Sequence, residues 1–382
     1  MSTKTIGIIM NGVSGRMGYR QHLVRSILAI REEGGVLLSD GSRVMPEPYL
    51  VGRDPEKLRS IALRHGLDRY TTELDRALAD ADFPIYSDFL ITKARVPAIT
   101  KAIAAGKAIY TEKPTAESFA DALALAHAAG QSGIKNGVVH DKLYLPGLRK
   151  LKRLIDSGFF GRIFSVRGEF GYWVFEGDGF PAQRPSWNYR SEDGGGIVVD
   201  MFPHWNYVLE NLFGRVESVY AQTATHIPTR YDEQGHPYPA TADDAAYAIF
   251  GLAGGIVAEF NSSWDVRVNR DELLELQVDG TEGSAVAGLW GCKVQHRSTT
   301  PRPSWNPDVP DGHDYVGDWH ELPANEAYEN GFKVQWEEFI RHVVEDGPNR
   351  YDFLAGARGV LLAEKALESA RTGSRVELPE VE

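Results

Sequence analysis

The chain has 382 residues, 42% apolar and 25% charged, proportions ordinary for a globular enzyme with room for two buried cores. Its formal charge of −12 argues against non-specific binding to nucleic acid or to acidic membranes. A single cysteine, Cys292, excludes a disulfide framework and points to the reducing cytoplasm; no signal peptide and no membrane-spanning apolar run are expected.

Residues 5–10, Thr-Ile-Gly-Ile-Ile-Met, read as a buried first strand. The turn that follows, Gly12-Val13-Ser14-Gly15-Arg16-Met17-Gly18, carries a glycine at every third position. Leu23, Val24, Ile27, Leu28 and Ile30 then recur at helical spacing. Strand, glycine turn and helix form the context of a dinucleotide fingerprint, because glycine lets the backbone approach a pyrophosphate and a helix N-terminus offers N–H donors. Gly12, Ser14, Gly15, Arg16, Met17 and Gly18 are therefore cofactor-binding candidates; the alternative is a glycine-rich turn with no ligand.

Residues 39–48 read as a polar, irregular insertion and 49–51 as the second strand. In such domains an acid at the end of that strand takes a ribose hydroxyl. Here Gly52-Arg53 stand in its place, a pair that accommodates a 2′-phosphate and favours NADP over NAD. Arg16 is a second candidate cation. Asp54, expected to cap a helix over 55–65, is the alternative ribose contact.

Further strands near 83–89, 107–110 and 137–139 alternate with helices over 74–81, 96–105 and 116–129. Alternation of this kind implies a parallel, doubly wound α/β sheet, here closing a first domain over residues 1–139. Glu112-Lys113-Pro114 ends the 107–110 strand, since proline supplies no ladder donor. Ligands in such sheets sit beyond the carboxyl ends of the strands, so Lys113 is placed for chemistry and Glu112 to hold or tune its ammonium. On the tripeptide alone, a surface ion pair before a helix is the simpler reading.

The second domain, 140–382, has a different texture. Asp141-Lys142-Leu143-Tyr144 precedes a helix over 146–155, with Lys142 either a substrate contact or an exposed helix-entry lysine. A strand over 163–170 leads into a long loop holding Tyr172, Trp173, Phe175, Phe180, Trp187 and Tyr189. These rings either face a sugar, with Trp187 a candidate substrate contact, or glue the loop to the core. Gly194-Gly195-Gly196 opens the next helix, where Asp200 and His204 stand four residues apart on one face. A carboxylate beside an imidazole suits general acid/base work, and two ligands are too few for a metal site, so no metal is expected. Strands over 216–225, 245–250, 256–264, 273–278 and 284–287 suggest an open, mostly antiparallel sheet, followed by a loop over 299–330 and two last helices over 332–345 and 353–372.

The glycine turn, Glu112-Lys113-Pro114, and Gly194-Gly195-Gly196 leading to Asp200-x-x-x-His204 together resemble the Gfo/Idh/MocA family of oxidoreductases, across essentially the whole chain. The resemblance implies an N-terminal Rossmann domain and a C-terminal α+β domain whose open sheet joins homodimers or homotetramers. It implies hydride transfer between NAD(P) and a secondary alcohol or ketone of a sugar, cyclitol or polyol. His204 would move the hydroxyl proton, Lys113 would orient the substrate oxygen across a cis bond to Pro114, and Asp200 would bind a hydroxyl or orient His204. Leu90-Ile91-Thr92-Lys93, Asp141-Lys142-Leu143-Tyr144 and Phe202-Pro203 depart from the family pattern, the last expected to reshape the pocket. Relatives of this fold include glycosidases that retain NAD and non-catalytic sugar sensors; Lys113, Asp200 and His204 standing together argue against the latter.

Overall fold

A computed structural model describes residues 3–172, 175–267, 272–302, 306–309 and 311–381. Trp173 of the aromatic loop lies outside the described residues. The chain forms two units. One runs to Asp141 and takes in Glu329–Leu361; the other comprises Lys142–Tyr328 and Leu362–Glu380.

The first unit is built around the strand Thr3–Asn11, whose Ile8, Ile9 and Met10 are fully buried. It pairs in parallel with Arg43–Val51 on one side and with Ile85–Asp88 on the other. Ala108–Thr111 and Asn136–Val138 continue the sheet in parallel beyond Ile85–Asp88. The register sets Asn11, Val51, Asp88, Thr111 and Val138 level with one another, so the carboxyl ends form one straight edge. The strand order reverses on either side of Thr3–Asn11, which puts the binding crevice of such a sheet beyond Asn11.

The second strand is longer than its sequence suggests. Residues 43–48 extend it instead of forming an irregular insertion, despite Pro46 and Pro48. Leu50 N–H points away from the central strand, donating to Arg69 O at 3.0 Å. Pro46 and Pro48 share its phase, so their missing donors face the side where no strand pairs with them. The two-residue strand Val36–Leu37 closes this edge antiparallel. Helix Thr92–Ala104 also begins earlier than expected and runs through Pro97. Gly331–Glu345 packs Trp336, Phe339 and Ile340 into one cluster with Leu23, Ile27 and Ile30 of the first helical segment.

The second unit carries a nine-stranded sheet in the order 320–321, 292–296, 283–287, 274–280, 163–171, 257–263, 245–252, 216–224, 376–377. Every neighbouring pair is antiparallel except Ile163–Gly171 with Val257–Ser263. Alternation is clean along Ala245–Leu252, where Ala246, Ala248 and Phe250 face the core and Tyr247 and Ile249 the outside. Helix Ile197–Leu212 covers the inner face: Phe202 meets Phe250 at 5.7 Å and Trp205 meets Phe260 at 5.1 Å. Phe202, whose bulk was expected to reshape the pocket, is a core residue with no exposure. No described helix is long and apolar enough to cross a membrane.

Candidate active site

The glycine turn closes tightly on itself. Gly12 has φ 84°, donates to Val51 O at 2.9 Å, and accepts from Gly15 N at 3.0 Å. A side chain at Gly18 would lie 2.7 Å from Gly12 O, and one at Gly12 2.9 Å from the Phe89 carbonyl, so both positions demand glycine. The helix starts at Arg16 and Met17, exposed together with Gly15, and passes into π geometry over Gly18–Leu28. A helix start on a close-packed glycine turn fits a pyrophosphate. At the end of the neighbouring strand Gly52 is buried, and a side chain there would approach Ser14 Oγ and Leu58 at 3.3 Å. Arg53 is exposed beside it. The Asp54 carboxylate is engaged as the cap of Pro55–His65, accepting Lys57 N–H at 3.0 Å.

Lys113 follows Thr111 on the same edge, half-buried, with a cis bond to Pro114. A buried network that the sequence did not disclose holds this turn. Arg95 pairs with Asp88 at 3.1 Å, donates to Leu90 O at 2.7 Å and donates to Pro114 O. Tyr86 donates to Asp88 at 2.8 Å and Asn11 to the Tyr86 oxygen at 3.0 Å. Burial pushes the Asp88 carboxyl up, against the Arg95 charge and these hydrogen bonds. Glu112 is buried and accepts from His22 Nε2 at 2.8 Å. The residues 90–93 thus meet Arg95 and Asp88 through Leu90, whose N–H also bonds Asp88 at 3.0 Å.

In the second unit each of the three glycines has a steric reason. Gly194 has φ 77°; a side chain at Gly195 would strike the Trp187 and Asn188 carbonyls at 2.5 Å; one at Gly196 would strike Asp243 at 2.7 Å. Asp243 accepts Val198 N–H at 2.8 Å, fixing the helix start, while burial raises its carboxyl. Asp200 and His204 then project from the first turns with different partners. Asp200 pairs with Arg184 at 2.9 Å, a loop residue stacked 4.4 Å from the Trp264 ring. His204 Nδ1 lies 2.6 Å from Tyr207 Oη, and Lys142 Nζ lies 3.2 Å from His204 Nε2. Lys142 also donates its backbone N–H to Tyr207 at 3.2 Å. A lysine ammonium only donates, so this pairing leaves Nε2 as the acceptor and puts the ring proton on Nδ1. Lys142 and His204 are thus brought together, and Tyr207 and Arg184 are partners that spacing alone did not reveal. Trp187 is 40% exposed, whereas Tyr189 is buried and donates to Phe175 O at 3.1 Å, so the aromatic loop divides between outward rings and core anchors.

Behind the loop, Arg230 pairs with both Asp244 at 2.9 Å and Asp265 at 2.8 Å and lies 3.9 Å over the Tyr189 ring. Burial, with the hydrogen bond and charge of Asp244, pushes Asp265 up to about 8 against the pull of Arg230. The native state therefore keeps a proton that the unfolded chain has released. Through this group stability is highest below about pH 4 and falls as pH rises to about 8. Thermal midpoints across that window are expected to decline in the natural chain, and Asp265→Asn to flatten that part of the slope.

Among the described residues, the group of three carboxylates spaced for a metal is Glu33, Glu329 and Glu337. The Lys333 ammonium sits among them, 2.7 Å from Glu33 and 3.1 Å from Glu337, so the cluster is an ion-pair network.

A pyrophosphate cradle at the switch point, with a lysine two residues past a neighbouring strand, defines a dinucleotide-dependent oxidoreductase. Residues 148–286 match the model of the GFO/IDH/MocA C-terminal domain. The chain is 56% identical to the D-xylose dehydrogenase of Paenarthrobacter nicotinovorans over 383 residues, 99% of each protein. It is 23% identical to the levoglucosan dehydrogenase of Pseudarthrobacter phenanthrenivorans, over 86% of this chain and 88% of that one. The solved structure of levoglucosan dehydrogenase in complex with NADH covers 100% of both chains at a TM-score of 0.81 and 22% identity, a likeness of fold. The chain belongs to the Gfo/Idh/MocA family.

Proposed function

We propose that this NAD(P)-dependent sugar oxidoreductase oxidises D-xylose or a closely similar aldose, with NADP as its preferred cofactor. The observation that carries the substrate is the 56% identity to a D-xylose dehydrogenase along 99% of both chains. NADP is supported by Gly52 and exposed Arg53 where an acid would repel a 2′-phosphate, and by the engagement of Asp54 as a helix cap. Gly12, Ser14, Gly15, Arg16, Met17 and Gly18 hold the cofactor phosphates, Arg53 its ribose end, and Glu112 and Lys113 line its reactive end. When bound, the nicotinamide accepts the hydride at its C4.

His204, its ring oriented by Tyr207, takes the hydroxyl proton at Nε2 once the sugar hydroxyl displaces the Lys142 ammonium from that nitrogen. Lys113 orients the reacting oxygen and stabilises the negative charge that develops on it. Asp200, held by Arg184, accepts from a sugar hydroxyl, and Lys142 and Trp187 complete the substrate contacts. The protein works in the cytoplasm as a homodimer or homotetramer joined through the open sheet. Support for that assembly comes from the sheet's outer face, where Tyr220, Tyr247, Ile249 and Val257 are each 41–50% exposed.

Cofactor absorbance tests the reading, with NADP and NAD each offered D-xylose, other aldoses and inositols. Turnover with D-xylose is expected. Silence with every aldose would overturn it, and cleavage of glycosides without net cofactor reduction would point to the retained-NAD glycosidases instead. Arg53→Ala is expected to raise KM for NADP about tenfold while changing that for NAD less than about twofold; equal effects on both would remove the NADP preference.

A further inference from the structure

We infer that His22 is a positioning residue for the lysine of the active site: it holds Glu112, the neighbour of Lys113 in the chain, as a carboxylate. This rests on the role proposed above for Lys113. His22 stands on the cofactor helix Gly18–Leu28, with no exposure to solvent. Phe89 stacks on its ring at 4.0 Å, and Phe332 meets it edge-on at 5.3 Å.

Both ring nitrogens are committed. Trp336 Nε1 lies 3.0 Å from His22 Nδ1, and an indole N–H can only donate. Nδ1 therefore carries the lone pair, and the ring proton is on Nε2, aimed at Glu112 Oε1 2.8 Å away. A second proton on His22 would have to displace Trp336. The imidazole is thus a donor of fixed direction.

Glu112 needs that donor. Burial opposes its ionisation, yet His22, first through its hydrogen bond and then through its charge, holds the carboxyl below the usual range, with the Lys113 and Arg95 charges adding to it. The titratable groups around it are His22 on the cofactor helix, Arg95 on Thr92–Ala104, Lys113 in its own segment, and Tyr110 on the preceding strand. Burial and the Glu112 charge push the Tyr110 hydroxyl well above its ordinary range, so it stays neutral. With the His22 donor removed, burial gains the upper hand and Glu112 takes up a proton at higher pH. Lys113 then loses its anionic neighbour. The helix that opens the cofactor site is in this way tied to the group beside the reacting lysine.

His22→Leu is expected to lower kcat/KM about tenfold near pH 7, with the deficit narrowing as pH rises and Glu112 ionises again. His22→Gln, whose amide N–H replaces Nε2–H, is expected to keep the natural profile. Infrared difference spectra between about pH 8 and about pH 5 should gain a protonated-carboxyl band in His22→Leu that His22→Gln lacks. A deficit equal at every pH, or no added band, would reduce His22 to a packing residue and overturn the inference. The infrared readout needs no turnover, so it stands apart from a failure to oxidise any sugar. Should His22→Leu not fold, nitrogen NMR of the natural chain and of Trp336→Phe decides the matter. The natural chain should show only the Nε2–H tautomer, and Trp336→Phe exchange between both. A natural chain protonated at Nδ1 would overturn the assignment.

Discussion

Lys113→Met is expected to lower kcat by about a thousandfold, with cofactor affinity changed by less than about fivefold. Methionine keeps the length and apolar stem of lysine and removes its charge, so the variant isolates the ammonium. Lys113 lies on the edge shared by Asn11, Val51, Asp88 and Thr111, two residues past the last paired position of its strand. A cation there stabilises negative charge on an oxygen more in the transition state than in the bound substrate. Its loss should therefore appear in kcat and kcat/KM together and spare KM. Rapid-mixing absorbance at saturating sugar measures the first, and fluorescence titration of the dinucleotide measures cofactor affinity. A variant keeping more than about a tenth of the natural kcat would remove Lys113 from the chemistry.

Arg95→Met destabilises the protein by about 3–5 kcal/mol, because it strands the buried Asp88 carboxylate without its cation. The guanidinium also holds the Leu90 and Pro114 carbonyls, so the loss reaches the turn that carries Lys113. The deficit depends on pH with a definite sign. Burial already raises the Asp88 carboxyl above its unfolded value, and Arg95 opposes that shift. Without Arg95 the native carboxyl rises further, so the native state binds a proton that the unfolded chain gives up. Stability of the variant then falls relative to the natural chain as pH climbs from about 4 to about 7. Urea unfolding at both ends of that range reads the difference, and Asp88→Asn in the same chain should recover part of it. A pH-independent loss would show that Arg95 acts mainly through the two carbonyls.

Several elements of the site were legible from local pattern. A glycine turn between a strand and a helix, a Glu-Lys-Pro at a strand end, and three glycines before Asp200 and His204 each state their geometry within about ten residues. Turn chemistry and side-chain period act over that range. The second strand was legible only in part. Its prolines read as breakers, and they are tolerated because their missing donors face an unpaired edge, which depends on which strands lie beside it.

The partners of the reactive groups lie at another range altogether. Trp336 and His22 are 314 residues apart, and His22 and Glu112 are 90 apart. Arg184, a loop residue, pairs with Asp200. Phe202, expected to reshape the pocket, packs in the core against Phe250. By itself the sequence determined the class of protein: a parallel dinucleotide-binding sheet and an open antiparallel sheet, with a lysine, an aspartate and a histidine as candidate site residues. Only the tertiary structure decided which groups hold the aspartate and the histidine. A hydrogen bond or ion pair depends on distance in space, and the chain's local pattern carries no record of which remote segment folds against it.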